Sequence, residues 1–330
     1  MTEPLLAARD VRVTFQSHNG SLTAVRGVDL DVHAGETLAL VGESGSGKSA
    51  FAKTALRLHQ PPFTTRRTQI EGSMLLNGRD GPTELVGLNA AAMRRVRARS
   101  VGMIFQEALS ALNPVMRVGH QVAEAVRLAR PDVSPYDALA EAVDLLAEVG
   151  LPDPQVRARA YPHQLSGGQC QRIMIAIAAV RRPELLIADE PTTALDVTVQ
   201  ARILQLLRRI QSEAGMALLF ITHDLGIVER IADRVAVMYA GQIVEVGPKR
   251  RIFDDPQHPY TRGLLASQPG RRRRGEGLSG QSPHPQHLPD GCSFRPRCRL
   301  ATGACCTRPE LRPVGRSLAR CWRTVEATAA

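Results

Sequence analysis

The chain of 330 residues has no apolar run of the roughly 18–20 residues that a membrane-spanning helix needs. Its N-terminus, MTEPLLAARD, also lacks the basic segment and apolar stretch of a secretory signal. We therefore expect a protein that stays in the cytoplasm and does not cross a membrane by itself. The composition, with 43% hydrophobic and 22% charged residues, is that of a globular protein with enough apolar material for a core.

Lysine is scarce, with only Lys48, Lys53 and Lys249 among 42 basic residues. The net charge of +10 is concentrated at the C-terminus, because residues 271–330 hold 12 Arg and 4 acidic residues. The rest of the chain offers no obvious basic footprint for nucleic acid. Within the tail, the run from Arg271 to Arg274 is open to two interpretations, a solvated linker or a segment attracted to anionic lipid.

The pattern of apolar residues changes along the chain. Residues 1–60 read as strands leading into a helix, residues 119–149 as helices, and the part after residue 165 as strands alternating with helices. This alternation predicts an α/β fold with a largely parallel sheet and a helical insertion. After residue 250 the pattern fails, apart from the short helical stretch HPYTRGLLAS, and a segment rich in Pro, Gly and Arg follows. We expect that segment to be a flexible linker.

The sequence GESGSGKS follows the apolar strand TLALV and precedes a helical stretch. It fits the pattern G-x-x-x-x-G-K-[ST], whose glycines let backbone N–H groups turn toward a phosphate. Lys48 supplies a mobile charge for the β- and γ-phosphates, and the Ser49 hydroxyl can ligate Mg²⁺. The predicted nucleotide site consists of Gly42, Glu43, Ser44, Gly45, Ser46, Gly47, Lys48 and Ser49.

A second apolar strand, LLIAD, ends in the neighbouring acids Asp189 and Glu190. A carboxylate at the C-terminal end of a buried strand suits Mg²⁺ coordination, which is the role we expect for Asp189. Glu190 is then placed to polarise an attacking water.

The pentapeptide LSGGQ at residues 165–169 comes between these two motifs, and a Ser-Gly-Gly that opens a helix can bind an anion. In this order the motifs resemble those of ATP-binding cassette (ABC) proteins. The resemblance implies ATP hydrolysis with Mg²⁺, and an ATP-closed, head-to-tail dimer. In that dimer Ser166, Gly167 and Gly168 of one subunit contact the γ-phosphate of ATP held by its partner, and Gln169 completes the predicted set.

Other positions resemble the family pattern one by one. Gln106 is similar to the glutamine that senses Mg²⁺, and Asp196 is similar to the residue that crosses the dimer interface. His223 resembles the switch histidine that contacts the γ-phosphate and orients Glu190 and water. Phe15 resembles the aromatic residue that stacks on adenine, with a core Phe in a strand as the alternative.

The similarity extends to a subfamily over nearly the whole chain. The stretches ALNPVMRVGHQ, ELLIADEPTTALDVTVQ, HPYTRGLLAS and GCSFRPRC resemble an ATPase subunit of bacterial oligopeptide or dipeptide importers. This implies a P-loop NTPase with a RecA-like mixed sheet core, a helical signature subdomain and a small Cys-containing C-terminal extension. We expect the ATPase domain at 1–255 with the helical subdomain inserted near 90–180, a linker with a short helix at 256–291, and the extension at 292–330.

The same resemblance implies partners. They are a second ATPase subunit, identical or homologous, two transmembrane permease subunits and, indirectly, an extracytoplasmic solute-binding protein, with no nucleic acid. The chain would then be a peripheral subunit on the cytoplasmic face of the cell membrane. The segment from Leu112 to Gln121 would form part of the groove that receives a coupling helix. Whether the cargo is a peptide, a metal chelate, an opine or a sugar stays open.

Five of the six cysteines lie in the tail, which in a cytosolic protein points to metal binding before disulfides. Their spacing fits neither the short pairs of zinc sites nor ferredoxin motifs, so the residues alone indicate only a structural metal site. The resemblance favours a 4Fe-4S cluster over Zn²⁺. Its expected ligands are Cys292, Cys298, Cys305 and Cys321, with Cys306 left over.

Cys170 follows LSGGQ at a position where a basic residue is more usual in the family. We expect it to be a thiol open to oxidation beside the site.

Two other function classes compete with transport. A cassette ATPase acting on DNA or ribosomes would need long coiled-coil insertions or a second cassette, and neither is present. A P-loop kinase for small molecules would leave LSGGQ and His223 without a role.

Overall fold

The structure is a computed structural model that describes residues 3–17, 20–60, 67–193, 195–268 and 277–326. The chain divides into two compact units, the first made of residues 1–88 and 221–330 and the second of residues 89–220. The run from Arg271 to Arg274 lies outside the described residues. Within the described ranges, no helix is both long and apolar enough to cross a membrane.

The strands and helices of the described residues follow in chain order. The strands are β1 (Leu6–Ser17), β2 (Gly20–Val32), β3 (Thr37–Val41), β4 (Thr68–Gly78), β5 (Gly81–Glu84), β6 (Val101–Ile104), β7 (Leu185–Asp189), β8 (Ala217–Thr222), β9 (Arg234–Tyr239), β10 (Gln242–Pro248), β11 (Arg312–Val314) and β12 (Ser317–Ala319). The helices are α1 (Lys48–Thr54), α2 (Ala90–Arg99), α3 (Ala108–Ala111), α4 (Val118–Ala129), α5 (Pro135–Glu148), α6 (Pro154–Ala158), α7 (Gly167–Ala179), α8 (Val197–Ala214), α9 (Leu225–Ile231), α10 (Lys249–Asp254), α11 (Pro259–Ala266) and α12 (Arg323–Glu326).

The first unit contains two sheet regions. One is antiparallel, with the strand order β2-β1-β4-β5. The other has the order β11-β12-β10-β9-β3, in which β3 and β9 are parallel and the remaining pairs antiparallel. Every residue of β3 is buried, as expected for a short continuous apolar strand in a parallel pair. The phosphate-binding sequence begins directly after this strand.

One hydrophobic cluster of the first unit joins residues from β3, β9, α9, α10 and α11. Its aromatic centre is formed by Tyr239, Tyr260 and Phe294, whose ring centroids lie 4.5–5.5 Å apart. Phe294 comes from the Cys-rich tail, so the tail contributes a side chain to this core.

The second unit holds the helices α2 to α8 and the strands β6 and β7, with β8 crossing its C-terminal boundary. Strand β7 lies between β6 and β8, runs parallel to β6 and is buried throughout. Helix α8 is capped at its N-terminus by Asp196, whose carboxylate accepts hydrogen bonds from Thr198 and Val199, and at its C-terminus by Gly215 in the left-handed conformation. The predicted helical section at 119–149 corresponds to α4 and α5.

The predicted α/β fold with a mixed sheet, a helical section and a small C-terminal extension is confirmed. The predicted domain boundaries stay a prediction. Within the predicted linker, residues 277–291 make contacts with the first unit. Leu278 packs against the core of the first unit, and Ser282 donates a hydrogen bond to Glu43 of the phosphate loop.

Candidate functional site

The phosphate loop between β3 and α1 is closely surrounded by backbone. Gly42 and Gly47 have φ values of 155° and 103°, in the region that favours glycine. A Cβ on Gly42 would lie 2.1 Å from the carbonyl oxygen of Met238, and one on Gly47 would lie 2.4 Å from that of Ala24. Both positions therefore need glycine for space as well as for conformation.

Lys48 is 5% exposed and folds back over the loop that precedes it. Its Nζ donates hydrogen bonds to the carbonyl oxygens of Gly42 at 2.8 Å and Glu43 at 2.9 Å, and to Oγ of Ser46 at 3.4 Å. The ammonium group is therefore held inside the concave side of the loop, where a phosphate would compete with these carbonyls for its protons. Ser49 follows in the first turn of α1 and is half-buried.

Phe15 is half-buried in β1, which argues against the core alternative. Its ring meets the ring of His59 edge-on, with centroids 5.1 Å apart. Nε2 of His59 lies 2.7 Å from the carbonyl oxygen of Ala50 in α1. Phe15 is thus linked through His59 to the helix that opens at Lys48.

Glu43 is tied to the C-terminal part of the first unit. Its backbone N–H donates to Oη of Tyr260 at 2.9 Å, and its carboxylate pairs with the guanidinium of Arg297 at 2.7 Å. Burial alone would raise the pKa of Glu43, but hydrogen bonds from Arg297 and Ser282 lower it below its ordinary value of 4.5. The carboxylate is accordingly held in its charged form.

His223 is exposed and follows the buried strand β8. The next residue, Asp224, caps α9 by accepting hydrogen bonds from the N–H groups of Gly226 at 2.8 Å and Ile227 at 3.3 Å. The strand end and the cap fix the backbone on both sides of His223.

In the second unit, the end of β7 carries the two predicted acids. Asp189 is 1% exposed, while Glu190 is half-buried. Oε2 of Glu190 accepts hydrogen bonds from Nε2 of Gln106 at 3.2 Å and from Oγ1 of Thr193 at 2.9 Å. Glu190 has φ 48°, an uncommon conformation for a residue with a side chain. Such strain concentrates at functional sites.

The predicted signature motif opens α7. Oγ of Ser166 accepts from the N–H of Gln169 at 3.3 Å, and the Gln169 side chain accepts from the N–H of Ser166 at 3.0 Å. This reciprocal capping leaves Ser166 and Gly167 exposed at the helix N-terminus. A Cβ on Gly168 would lie 2.8 Å from Val199 in α8, which explains the glycine by packing.

Cys170 differs from our expectation of a thiol open to oxidation. It is fully buried, its Sγ lies 3.5 Å from the carbonyl oxygen of Pro162, and burial raises the pKa of its thiol. A buried thiol with a raised pKa carries little thiolate and reacts slowly. Cys170 is therefore a packing residue.

The segment from Leu112 to Gln121 is organised by one amide. The side chain of Gln121 accepts from the N–H of Asn113 at 2.9 Å and donates to the carbonyl oxygens of Asn113 and Met116, also at 2.9 Å. The loop that it holds presents Val115, which is 83% exposed. The amide of Gln121 therefore fixes the backbone of the loop on which Val115 lies.

The four predicted metal ligands of the tail line one cavity, together with His258 and Trp322. Those ligands are Cys292, Cys298, Cys305 and Cys321. Burial raises the pKa of the Cys292 thiol, and the other three thiols raise it further. Among the residues that the structure describes, no three metal-binding side chains are arranged to hold a single metal ion. Cys306 is exposed, and its Sγ accepts a hydrogen bond from Arg295 at 2.8 Å.

Sequence reasoning missed Arg297, Tyr260 and Thr193. Arg297 and Tyr260 contact Glu43 across 254 and 217 residues of chain, and no local pattern reports such contacts. Thr193 could have been suspected from its place three residues after Glu190.

Comparison with known proteins identifies the family. The profile described as ABC transporter matches residues 25–193, and the one described as the C-terminal region of oligopeptide/dipeptide transporters matches residues 244–305.

A putative peptide import ATP-binding protein of Brucella melitensis is 48% identical over 92% of this chain and 91% of its own length. The oligopeptide transport ATP-binding protein OppD of Mycobacterium bovis is 47% identical over 97% of this chain and 52% of its own length. A solved dimeric ATP-binding cassette in a post-hydrolysis state with ADP and Pi is 26% identical, covers 74% of this chain and 99% of its own, and has a TM-score of 0.64. The chain therefore belongs to the ABC transporter family and carries its ATPase domain.

Proposed function

We propose that this chain is the ATP-hydrolysing subunit of a bacterial importer of oligopeptides or dipeptides. The observation that carries the proposal is the phosphate loop of the first unit, with Lys48 held inside it and two glycines that tolerate no side chain. The relatives named as peptide import proteins, and the match of residues 244–305 to a peptide-transporter region, support the cargo class.

In this proposal the first unit binds the nucleotide. The loop N–H groups and Lys48 hold the phosphates, Ser49 ligates Mg²⁺, and Phe15 stacks on the adenine. His223, exposed at the end of β8, contacts the γ-phosphate. When bound, Mg²⁺ would neutralise negative charge on the β- and γ-phosphates.

The second unit supplies the groups that act on water and metal. Glu190 polarises the attacking water, with its carboxylate oriented by Gln106 and Thr193. The buried carboxylate of Asp189 and the amide of Gln106 are the groups of this unit that would act on Mg²⁺.

A dimer follows from the signature motif. Ser166 and Gly167 are exposed at the N-terminus of α7, a helix of 13 residues, and the helix dipole there favours an anion. We propose that this end meets the γ-phosphate on a partner ATPase subunit, with Gln169 shaping the motif and Asp196 at the interface. ATP then closes the dimer, because its contacts exist only in the closed state, and hydrolysis opens it.

The permease partners would contact the segment from Leu112 to Gln121, since Gln121 holds this loop with Val115 outward. The chain would then act as a peripheral subunit at the cytoplasmic face of the cell membrane. A solute-binding protein on the other face would deliver the peptide.

Four cysteines of the tail share one cavity, although among the described residues no three metal-binding side chains surround a single ion position. These are Cys292, Cys298, Cys305 and Cys321, and thiolate side chains are the ligands that iron–sulfur clusters and zinc take in proteins. We propose a 4Fe-4S cluster with a structural role, and Zn²⁺ is the alternative outcome of its test. Bonds between iron and the four cysteine thiolates would then connect distant parts of the irregular tail.

Replacing Glu190 with Gln tests the ATPase assignment. Loss of the base should slow hydrolysis by about 100-fold or more while ATP binding is retained. The matched control is Glu213→Gln, an exposed carboxylate on α8 that pairs with Arg209 at 3.9 Å. Hydrolysis by Glu190→Gln at the wild-type rate would contradict the role of Glu190.

Two neighbouring cysteines test the metal assignment. Chain purified under anaerobic conditions should contain iron and acid-labile sulfide, and Cys305→Ser should lose most of both. Cys306→Ser is the matched control and should retain them, because Cys306 is exposed and does not line the cavity. Zinc without sulfide would show that the site holds a zinc ion and no cluster. Protein without metal would contradict both assignments.

A further inference from the structure

An ion pair joins the phosphate loop to the Cys-rich tail. The guanidinium of Arg297 donates to both carboxylate oxygens of Glu43, from Nη1 to Oε2 at 2.7 Å and from Nη2 to Oε1 at 3.0 Å. The Arg297 side chain is 6% exposed and that of Glu43 is 27% exposed. A bidentate, largely buried ion pair of this kind is strong and has a specific geometry.

The Arg297 side chain is also held by two backbone carbonyl oxygens and two aromatic rings. Its Nε donates to the carbonyl oxygen of Ser279 at 2.8 Å, and Nη2 also donates to that of Gly280 at 3.2 Å. The guanidinium carbon lies 5.8 Å from the ring centres of both Tyr239 and Phe294. A lysine would keep the charge but could not reproduce this fork of donors.

Glu43 is held at three points. Arg297 holds its carboxylate, Tyr260 accepts from its N–H, and its carbonyl oxygen accepts from Lys48 at 2.9 Å. The last contact connects the tail to the lysine that faces the phosphates. A displacement of Glu43 would therefore move a direct partner of Lys48.

The ion pair between Arg297 and Glu43 also changes the net charge of the phosphate loop. Glu43 lies within the phosphate loop, where a free carboxylate would repel the phosphates of ATP. Arg297 neutralises that carboxylate, because its guanidinium contacts both carboxylate oxygens. Without Arg297 the loop would carry an uncompensated negative charge beside its ligand.

We propose that Arg297 is a positioning residue for ATP, which acts through Glu43 and makes nucleotide affinity depend on the folded Cys-rich tail. This inference rests on the proposed role of the phosphate loop. Phe294, Arg297 and Cys298 lie within five consecutive residues, so the same short segment fills the core, reaches the loop and lines the cavity. A displacement of the tail would then lower the affinity of the nucleotide site for ATP.

The test measures MgATP affinity of the full-length chain, purified anaerobically, by equilibrium titration. Arg297→Met should weaken binding about tenfold, since a charge-assisted hydrogen-bonded pair is lost. Arg297→Lys should weaken it less, about threefold. Arg312→Gln is the matched control, because Arg312 pairs with Glu310 at 3.1 Å in the same tail and is exposed. It should bind ATP like the wild type.

The double variant separates positioning from folding. Glu43→Gln removes the carboxylate, so Glu43→Gln combined with Arg297→Met should bind ATP better than Arg297→Met alone. The unfolding free energies of both variants are measured alongside, because an unpaired Glu43 carboxylate would also destabilise the fold. Recovery of ATP affinity without a matching change in unfolding free energy identifies positioning. If Arg297→Met does not fold, Arg297→Lys and Glu43→Gln carry the test, because the first keeps the charge and the second leaves the tail unchanged.

The outcomes are distinct. Weaker binding by Arg297→Met with recovery in the double variant supports the proposal. Wild-type affinity in both Arg297 variants overturns it while leaving the ATPase assignment intact. Absence of ATP binding by the wild-type chain, or unchanged binding by Lys48→Ala, would instead overturn the proposed function itself.

Discussion

The phosphate loop and the Cys-rich tail lie in the same unit but obtain their structures in different ways. The loop is dictated locally, by glycines that adopt positive φ between a buried strand and a helix. The tail has short strands and 3-10 turns and depends on distant partners, with Phe294 in the core and Arg297 on Glu43. A motif can therefore be read from sequence where backbone geometry sets it, and not where tertiary contacts do.

The largest effect should come from the loop. Gly47→Ala would place a methyl group 2.4 Å from the carbonyl oxygen of Ala24 and force a strained φ of 103°. We expect MgATP affinity to fall about 100-fold, because displaced phosphate ligands lose their alignment.

Gly45→Ala sharpens that prediction. Gly45 also has a positive φ, 77°, but a Cβ there meets nothing within 4 Å. Gly45→Ala should lose clearly less MgATP affinity, because the alanine must adopt an unfavourable φ but collides with no neighbouring atom. Equal effects of the two substitutions, measured by the same titration, would show that space around the loop is not what requires glycine at position 47.

A substitution at the core residue of the tail should lower the free energy of unfolding. Phe294 is 4% exposed and packs on Tyr239, Tyr260 and His258. Phe294→Ala should lower the free energy of unfolding by about 3–5 kcal/mol, since the core loses an aromatic side chain and keeps part of the cavity. Denaturant titration provides the measurement.

Leu318→Ala is the control within the tail, because Leu318 is 37% exposed and should cost much less. If Phe294→Ala were as mild as Leu318→Ala, the tail would not be anchored through the core, and its order would have to come from the metal centre alone.

The smallest effect concerns the junction between the two regions. The pKa of Glu43 is lower in the folded chain than its ordinary value of 4.5. The ion pair therefore contributes stability that is present above pH 4.5 and is lost as the pH falls through the lower folded pKa. Because Glu43 is partly exposed, we expect a contribution of about 1 kcal/mol or less.

The comparison of wild type with Glu43→Gln checks this sign. Their difference in unfolding free energy should shrink as the pH is lowered from 6 to 3. A difference that grew toward acid pH would mean that the carboxylate is not stabilised in its charged form.

The fold class and the helical section were predictable, because their apolar spacing is set by burial on one face or two. The two acids at the end of β7 were predictable for the same reason. The burial of Cys170 was not, since helical periodicity does not say which thiol faces the interior. The packing of residues 277–291 was hidden by a composition that resembles a linker, although single contacts of Leu278 and Ser282 hold it.

The central claim is that this chain hydrolyses ATP to drive peptide import. The most direct measurement is the ATPase rate of the complex that co-purifies with the tagged chain from native membranes, with and without peptide and the solute-binding protein. We predict two multispanning permease subunits and hydrolysis that rises when peptide and binding protein are both present. Recovery of ribosomes or DNA-repair proteins without a membrane partner, and a rate indifferent to peptide, would contradict the claim.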